Sequence, residues 1–322
     1  MQHGWFNRFA IELRPVANFS GHMLGTVASE AAMVQGAGGS RDLDSLRVTG
    51  RDVQIVCLRT QSEISGYVAL PPDWTAVPSP LSWQDSCRVN GREIAPGDFF
   101  VTRGNGYAGR GFFREQLIVM VRTSRLCATI AALSGRPEDH VSLPELHLHA
   151  VSHWGARYRR DMLAFLRCLP GNGADFGRLS PEVESDVNLS LANALLPALG
   201  KTTDHRERRS AHDIVLRALT ETDLDAGMPT VSSLCRAAAV GRTRLFQSFA
   251  SVYEVSPWVV LQQLRLARAR ERLMDRDAPP RSVKDVQFGL GYSNGGRFAG
   301  EYRALFGESP NQKMIRHGQR RS

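Results

Sequence analysis

Between about Arg51 and Arg122, short apolar runs alternate with turn signals. Val53, Ile55 and Cys57 recur at every second position, Phe99-Phe100-Val101 follows a turn, and Gln116 to Val121 is another short apolar run. Val89-Asn90-Gly91-Arg92 has the form of a two-residue hairpin turn, because Asn-Gly accepts positive φ at both central positions. Ala95-Pro96-Gly97-Asp98 is a second turn, and Gly104, Gly106, Gly109 and Gly111 form a glycine-rich loop. Several short strands at this spacing predict a small antiparallel barrel or sandwich. After about Ser142 the period becomes helical. Residues 158–168 place their apolar side chains on one helix face, and Leu169-Pro170-Gly171 ends the run. Ser180-Pro181-Glu182 opens a second helix over 181–199, with a cap, a proline in the first turn and an acidic start; Val187, Leu191 and Leu195 form its apolar stripe. These helices either carry a dimer contact or pack on the parent barrel.

The last third of the chain contains an internal repeat. Thr230, Val231, Leu234 and Ala238 match Ser282, Val283, Val286 and Leu290 at an offset of 52; Leu245, Phe249, Ser256 and Pro257 match Phe298, Tyr302, Ser309 and Pro310 at 53. Each copy predicts a helix, a tight turn and a second helix, over 230–253 and 282–306. Thr230 and Ser282 are cap residues, and Ser282-x-x-Asp285 has capping-box form. The turns centre on Gly241 and Gly291, while small residues (Ala237 to Ala239, and Gly289) let paired helices approach. This spacing is that of a helix-turn-helix, whose second helix enters the DNA major groove. A helix from Trp258 to Met274 joins the copies, Glu207 to Leu219 forms an amphipathic helix ahead of them, and polar Thr202 to Arg209 is a linker.

Charge agrees with this division. Residues 1–200 hold 19 basic and 19 acidic residues; residues 201–322 hold 21 and 13, so the whole excess of +8 lies in the helical third. Such asymmetry suits a polyanion partner. Five scattered cysteines without a C-x-x-C pair give no dithiol or Cys-rich zinc motif and suit a reducing cytoplasm. No apolar run is long enough for a membrane span, and Met1 to Ala10 has no signal-like apolar segment. His147, His149 and His153 could ligate a metal, although a structural role is the simpler account. Gly104-x-Gly106-x-x-Gly109 matches a dinucleotide fingerprint in letters only, having no βαβ context. Trp74 and Trp83 line either a ligand pocket or a core. No catalytic motif, metal set or cofactor is expected.

The C-terminal region resembles the AraC/XylS family of bacterial transcription regulators. Arg265-Leu266-x-x-Ala269-x-x-x-Leu273 is similar to that family's linker helix; Ser282-Val283-x-Asp285-Val286, Gly291-Tyr292, Phe298 and Phe306-Gly307-x-Ser309-Pro310 are similar to its second motif. Leu234-Cys235, Arg242-Thr243, Lys284-Asp285 and Gly296-Arg297-Phe298-Ala299 look most like the ethanolamine-utilisation operon regulators within it. The resemblance implies an α+β chain. Residues 1–200 would form a cupin-like sensing and oligomerisation domain with trailing helices. Residues 203–322 would form an all-α DNA-binding domain with two helix-turn-helix units joined by a long helix. It implies base contacts from Arg242, Thr243, Arg244 and Gln247 in the first unit, and from Asn294 and Arg297 in the second. Implied partners are promoter DNA, RNA polymerase, a small-molecule effector and a second copy of the chain. The second unit departs from the family pattern: Gly295, Gly296 and Gly300 remove reading side chains, and Gln287 replaces a small residue. Two other readings fit parts of the sequence: a cupin-type metalloenzyme with a DNA-binding appendage, and a non-specific nucleic-acid-binding protein.

Overall fold

The computed structural model describes the chain outside residues 1–4, 10, 17–22, 24–25, 37–42, 96–97, 104–105, 144–145, 149–152, 169–177, 200–210, 223–228, 276–277 and 320–322. A short helix α1 (Trp5–Arg8) precedes an antiparallel β region of β1 (Arg14–Pro15), β2 (Glu30–Gln35), β3 (Leu43–Thr49), β4 (Val53–Thr60), β5 (Ile64–Ala69), β6 (Trp74–Val89), β7 (Arg92–Glu93), β8 (Phe99–Arg103), β9 (Tyr107–Arg122) and β10 (Leu146–Leu148). The order is β1-β3-β4-β9-β6-β8-β10, with β5 joining β2 to the front half of β9. Strand β9 is the spine: residues 107–111 pair with β5, residues 115–121 with β4, and almost its whole length with β6.

Strand β4 is buried on both faces, although Val53, Ile55 and Cys57 alone mark only one of them. Ile55 and Cys57 pack toward helices, while Val56 and Leu58 join the cluster on the other face. Even Gln54 is buried, where its Oε1 accepts the Val27 amide at 3.0 Å. The predicted glycine loop is also corrected, because Gly109 and Gly111 lie inside β9. A Cβ at Gly109 would stand 2.4 Å from the Arg88 carbonyl oxygen, so glycine lets the two long strands close on each other there. The Asn-Gly turn forms as expected, with φ of 51° at Asn90 and 78° at Gly91. Of the second turn, Pro96 and Gly97 lie outside the described residues, but Asp98 N donates to Ala95 O at 2.9 Å.

Helices α2 (Thr123–Ser134), α3 (His153–Cys168) and α4 (Pro181–Leu199) cover one face of the sheet. Tyr158, Met162, Leu163, Leu166, Val187, Leu191 and Leu195 share a core with Ile55, Leu117 and Val119, so these apolar stripes pack on the sheet. The α4 start is tied down by Glu184, whose carboxylate accepts the Arg51 and Asp52 amides at 2.8 and 2.6 Å. Trp74 is core: it is buried in the cluster on the other face, with the Arg122 guanidinium 5.1 Å from its ring centroid. The Trp83 side chain lies outside the described residues. So do His149 and the side chains of His147 and His153. Among the described residues, no group of three His, Cys, Asp or Glu is placed to hold a metal, and no helix is long and apolar enough to cross a membrane.

The remaining elements are all helical: α5 (Ala211–Thr220), α6 (Val231–Ala238), α7 (Arg242–Tyr253), α8 (Pro257–Leu273), α9 (Val283–Gly289), α10 (Gly295–Phe306) and α11 (Pro310–Gln319). The linker 202–209 lies outside the described residues. The α+β class therefore holds, with an antiparallel β region ahead of an all-α part containing both repeat copies.

Candidate nucleic-acid interface

The two repeat copies fold as two helix-turn-helix units, α6–α7 and α9–α10, with α8 between them. In the first, the Thr230 side chain accepts the Ser233 amide at 3.1 Å, and Ser233 Oγ accepts the Thr230 amide at 2.9 Å, a reciprocal box built with serine. The residue that turns the chain is Ala239, at φ 52° and ψ 47°. Gly241, which the sequence put at the turn, has an extended backbone and caps α7. In the second unit Gly291 does hold the left-handed turn, at φ 72°. At Gly289 a Cβ would meet only the tip of the Arg272 side chain, at 3.1 Å.

The units are anchored differently. Leu234, Ala238, Leu245, Phe249, Val252 and Tyr253 share one core with α5, with Leu261 and Leu264 of α8, and with Val34, Tyr67 and Ala108 of the β region. The second unit has its own core of Val286, Leu290, Tyr292, Phe298, Tyr302 and Phe306 against Leu266, Ala269 and Leu273. Three α8 arginines build this second unit. Arg265 is buried, donates from Nε to Leu290 O at 2.7 Å and lies 4.0 Å from the Tyr292 ring centroid. Arg270 stacks on Phe306 at 4.9 Å, and Arg272 donates to Gly289 O at 3.3 Å. Three of the 21 basic residues of the region thus make internal contacts, a use that composition does not reveal.

The front of α7 is open. Arg242, Thr243, Arg244 and Gln247 are all exposed, opposite the buried Leu245, Ser248 and Phe249. Arg242 lies over the Phe246 ring at 5.4 Å, which holds the guanidinium at the helix start. The front of α10 is more occupied. Asn294 caps the helix, with Oδ1 accepting the Arg297 amide at 2.9 Å. Arg297 Nε donates to Glu301 Oε1 at 2.8 Å, and this carboxylate holds the Arg297 guanidinium above its usual range. Partial burial works against ionisation of Glu301, but hydrogen bonds from Arg297 and Gln262 outweigh it and keep the carboxyl below its usual range. Gly296 and Gly300 are exposed.

At its far end α7 meets the β region. Tyr253 Oη donates to the Gly66 carbonyl at 3.0 Å, and Glu254 lies 3.4 Å from Arg88 and 3.8 Å from Arg110. A cavity of about 130 Å³ sits in this seam, lined in part by Val34, Ser65, Arg110, Tyr253, Gln263 and Leu305. Sequence reasoning missed this contact because nothing local marks Tyr253 or Glu254 as facing a distant strand.

Two helix-turn-helix units, each with an arginine at the front of its second helix and the first of these open, form a helix-turn-helix domain of the DNA-binding kind. Residues 234–314 match the family described as "Helix-turn-helix domain". A 136-residue stretch is 27% identical to the probable thc operon regulatory protein of Rhodococcus erythropolis, covering 40% of this chain and 41% of that protein. The chain thus matches about two fifths of the length of that curated relative. Among solved structures it is similar to a transcriptional regulator of Chromobacterium violaceum described among AraC-type DNA-binding domain-containing proteins (22% identity, 33% of this chain and 93% of that one, TM-score 0.30). It is also similar to the AraC-like transcriptional activator CuxR (16%, 84% and 94%, TM-score 0.40). ToxT from Vibrio cholerae O395 is a further likeness (8%, 89% and 96%, TM-score 0.33).

Proposed function

We propose that the protein is a ligand-responsive transcription regulator of the AraC/XylS kind, acting as an activator in the bacterial cytoplasm. Residues 203–322 would bind promoter DNA and face RNA polymerase, and residues 1–200 would sense a small molecule and pair two copies. The observation that carries this reading is the tandem pair of helix-turn-helix units with Arg242, Thr243, Arg244 and Gln247 displayed together at the front of α7. Arginine pairs with guanine O6 and N7, and glutamine with adenine N6 and N7. Two such units on one frame suit successive major grooves on one face of the duplex, about 34 Å apart.

The units would divide the work. The first reads sequence. The second mainly grips backbone, since Asn294 is engaged as a cap and Arg297 is paired with Glu301. The effector is not named by the sequence; the resemblance to ethanolamine-utilisation regulators makes amines the first class to screen. Selection from random duplex DNA with the full chain tests the function. The expected result is a motif of two blocks about one helical turn apart. Salt-sensitive binding with no enriched motif would replace this reading with non-specific nucleic-acid binding.

A further inference from the structure

The buried side of α7 is set by Leu245, Ser248, Phe249, Val252 and Tyr253. At 3.6 residues per turn, Thr243, Gln247 and Ser251 therefore lie along the opposite, outward stripe, and exposed Glu254 caps the helix just beyond it. Its first half carries proposed base contacts; its second half is already touched by the β region. The tip of the β6–β7 hairpin rests there: a Cβ at Gly91 would stand 2.9 Å from Ser251 Oγ. Arg88, just before the tip, lies 3.4 Å from Glu254, and Arg110 of β9 approaches the same carboxylate at 3.8 Å. The tip is held in shape. Asn90 N donates to Ala108 O at 2.8 Å, Asn90 Oδ1 accepts the Ala108 amide at 2.9 Å, and Arg88 donates to Gly91 O at 3.0 Å. It is a preformed block and not a loose flap.

A helix with its side chains is about 10–12 Å across and fills a major groove about 12 Å wide. A hairpin lying on the outward stripe competes with DNA for that space. We infer that the β6–β7 hairpin is an autoinhibitory latch on the first recognition helix, which must part from it for α7 to seat fully in the groove. This rests on the DNA-binding function proposed above. The fastenings are suited to release: the ion pairs to Glu254 are about half-exposed and individually weak, and the seam beside them contains the cavity.

The test uses the full chain and a duplex carrying the sequence it selects. Removing Arg88 separates the latch from its converse, a hairpin that grips phosphate, because the two predict opposite signs. Arg88→Ala is expected to tighten binding about threefold, and Arg88→Ala/Arg110→Ala about tenfold, some 1.4 kcal/mol. Tyr253→Phe, which keeps the ring in the core and drops only the bond to Gly66, shifts affinity the same way. Amides 88–93 should exchange faster when DNA binds. Unchanged or weaker binding by these variants, with melting temperatures near that of the parent, overturns the latch while leaving DNA binding intact. Protection of amides 88–93 by DNA overturns it as well. Selection of no sequence by the parent and the released variants alike overturns the DNA-reading function itself.

Discussion

Replacing Glu301 with glutamine tests whether the second unit is restrained by its own side chains. Arg297 is exposed and sits at the front of α10, yet its Nε is engaged by Glu301 at 2.8 Å. Glutamine keeps an acceptor for Gln262 but removes the charge that competes with phosphate for Arg297. One additional phosphate contact steepens the dependence of log K on log salt by about 0.9. Glu301→Gln should therefore bind tighter at low salt and lose about 3.5-fold more affinity than the parent between 50 and 200 mM salt. Fold stability should change little, since exposed i,i+4 pairs contribute modestly and arginine before glutamate is the weaker order. The same substitution has a pH signature. The folded carboxyl titrates below its ordinary value of 4.5, so its stabilising contribution is complete above that value and fades as pH falls through the lower folded one. Glu301→Gln should flatten that acid limb. Fluorescence anisotropy across a salt series, with melting curves from pH 3 to 7, reads both effects. An unchanged salt slope with unchanged affinity would refute the restraint. A lower affinity would mean that Glu301 aims Arg297 at its target.

Arg244→Ala should relax base preference in the first block of a selected motif, by about 1–3 kcal/mol for the base concerned, with the second block unchanged. Ala239→Gly should stabilise the first unit by about 0.5–1 kcal/mol in thermal melting. Relief of a left-handed alanine, costing about 1–2 kcal/mol, exceeds the extra freedom glycine has when unfolded. Gly66→Ala should cost about 3 kcal/mol or more, or prevent folding. Gly66 has φ 152°, and a Cβ would stand 2.2 Å from the Ala32 carbonyl oxygen, where only backbone could yield. Arg265→Met should destabilise by about 2–4 kcal/mol by orphaning the Leu290 carbonyl and losing the stack on Tyr292. Hydrogen exchange should then rise in α9 and α10 before it rises in α7.

The features legible in the sequence are those whose cause is local. A capping residue accepts an amide three positions on, a 3.6-residue period faces one partner, and Asn-Gly selects its turn, so Thr230 and Asn90-Gly91 did what their neighbours imply, and Ser282 caps by accepting the Asp285 amide at 3.1 Å. Where the cause is distant, the sequence misled. Val53, Ile55 and Cys57 mark only one face of β4, because nothing nearby shows that both of its faces are covered. Gly109 and Gly111 resembled a loop because the long strand that needs their smallness, β6, lies some 20 residues upstream. Arg265, Arg270 and Arg272 counted toward a DNA-binding charge excess, whereas their partners include the Leu290 and Gly289 carbonyls and the Tyr292 and Phe306 rings of the second unit. The proposed readers were legible as positions; that Asn294 and Arg297 are already engaged required the structure.

The glycines of the second unit take on a different meaning beside Gln287. Buried Gln287 donates to Tyr292 O at 2.9 Å, and its Oε1 lies 3.0 Å from where a Cβ at Gly295 would be. Gln287 and Gly295 belong together, because a side chain at 295 would crowd the amide that braces the turn. In the first unit Gly241 has open space around it, and Arg242, Thr243, Arg244 and Gln247 are exposed at the front of α7. Under the proposed division of labour, base discrimination would concentrate in α7, which is also the helix held at its end by Tyr253 and Glu254 against the β region. A sensor acting on α7 would control most of the sequence selectivity through one contact. The same sensor acting on α10, whose buried core is its own and which reaches the seam through Leu305, would mainly change backbone grip under the proposed division. The placement of the hairpin on the first unit matches where control would have the larger effect.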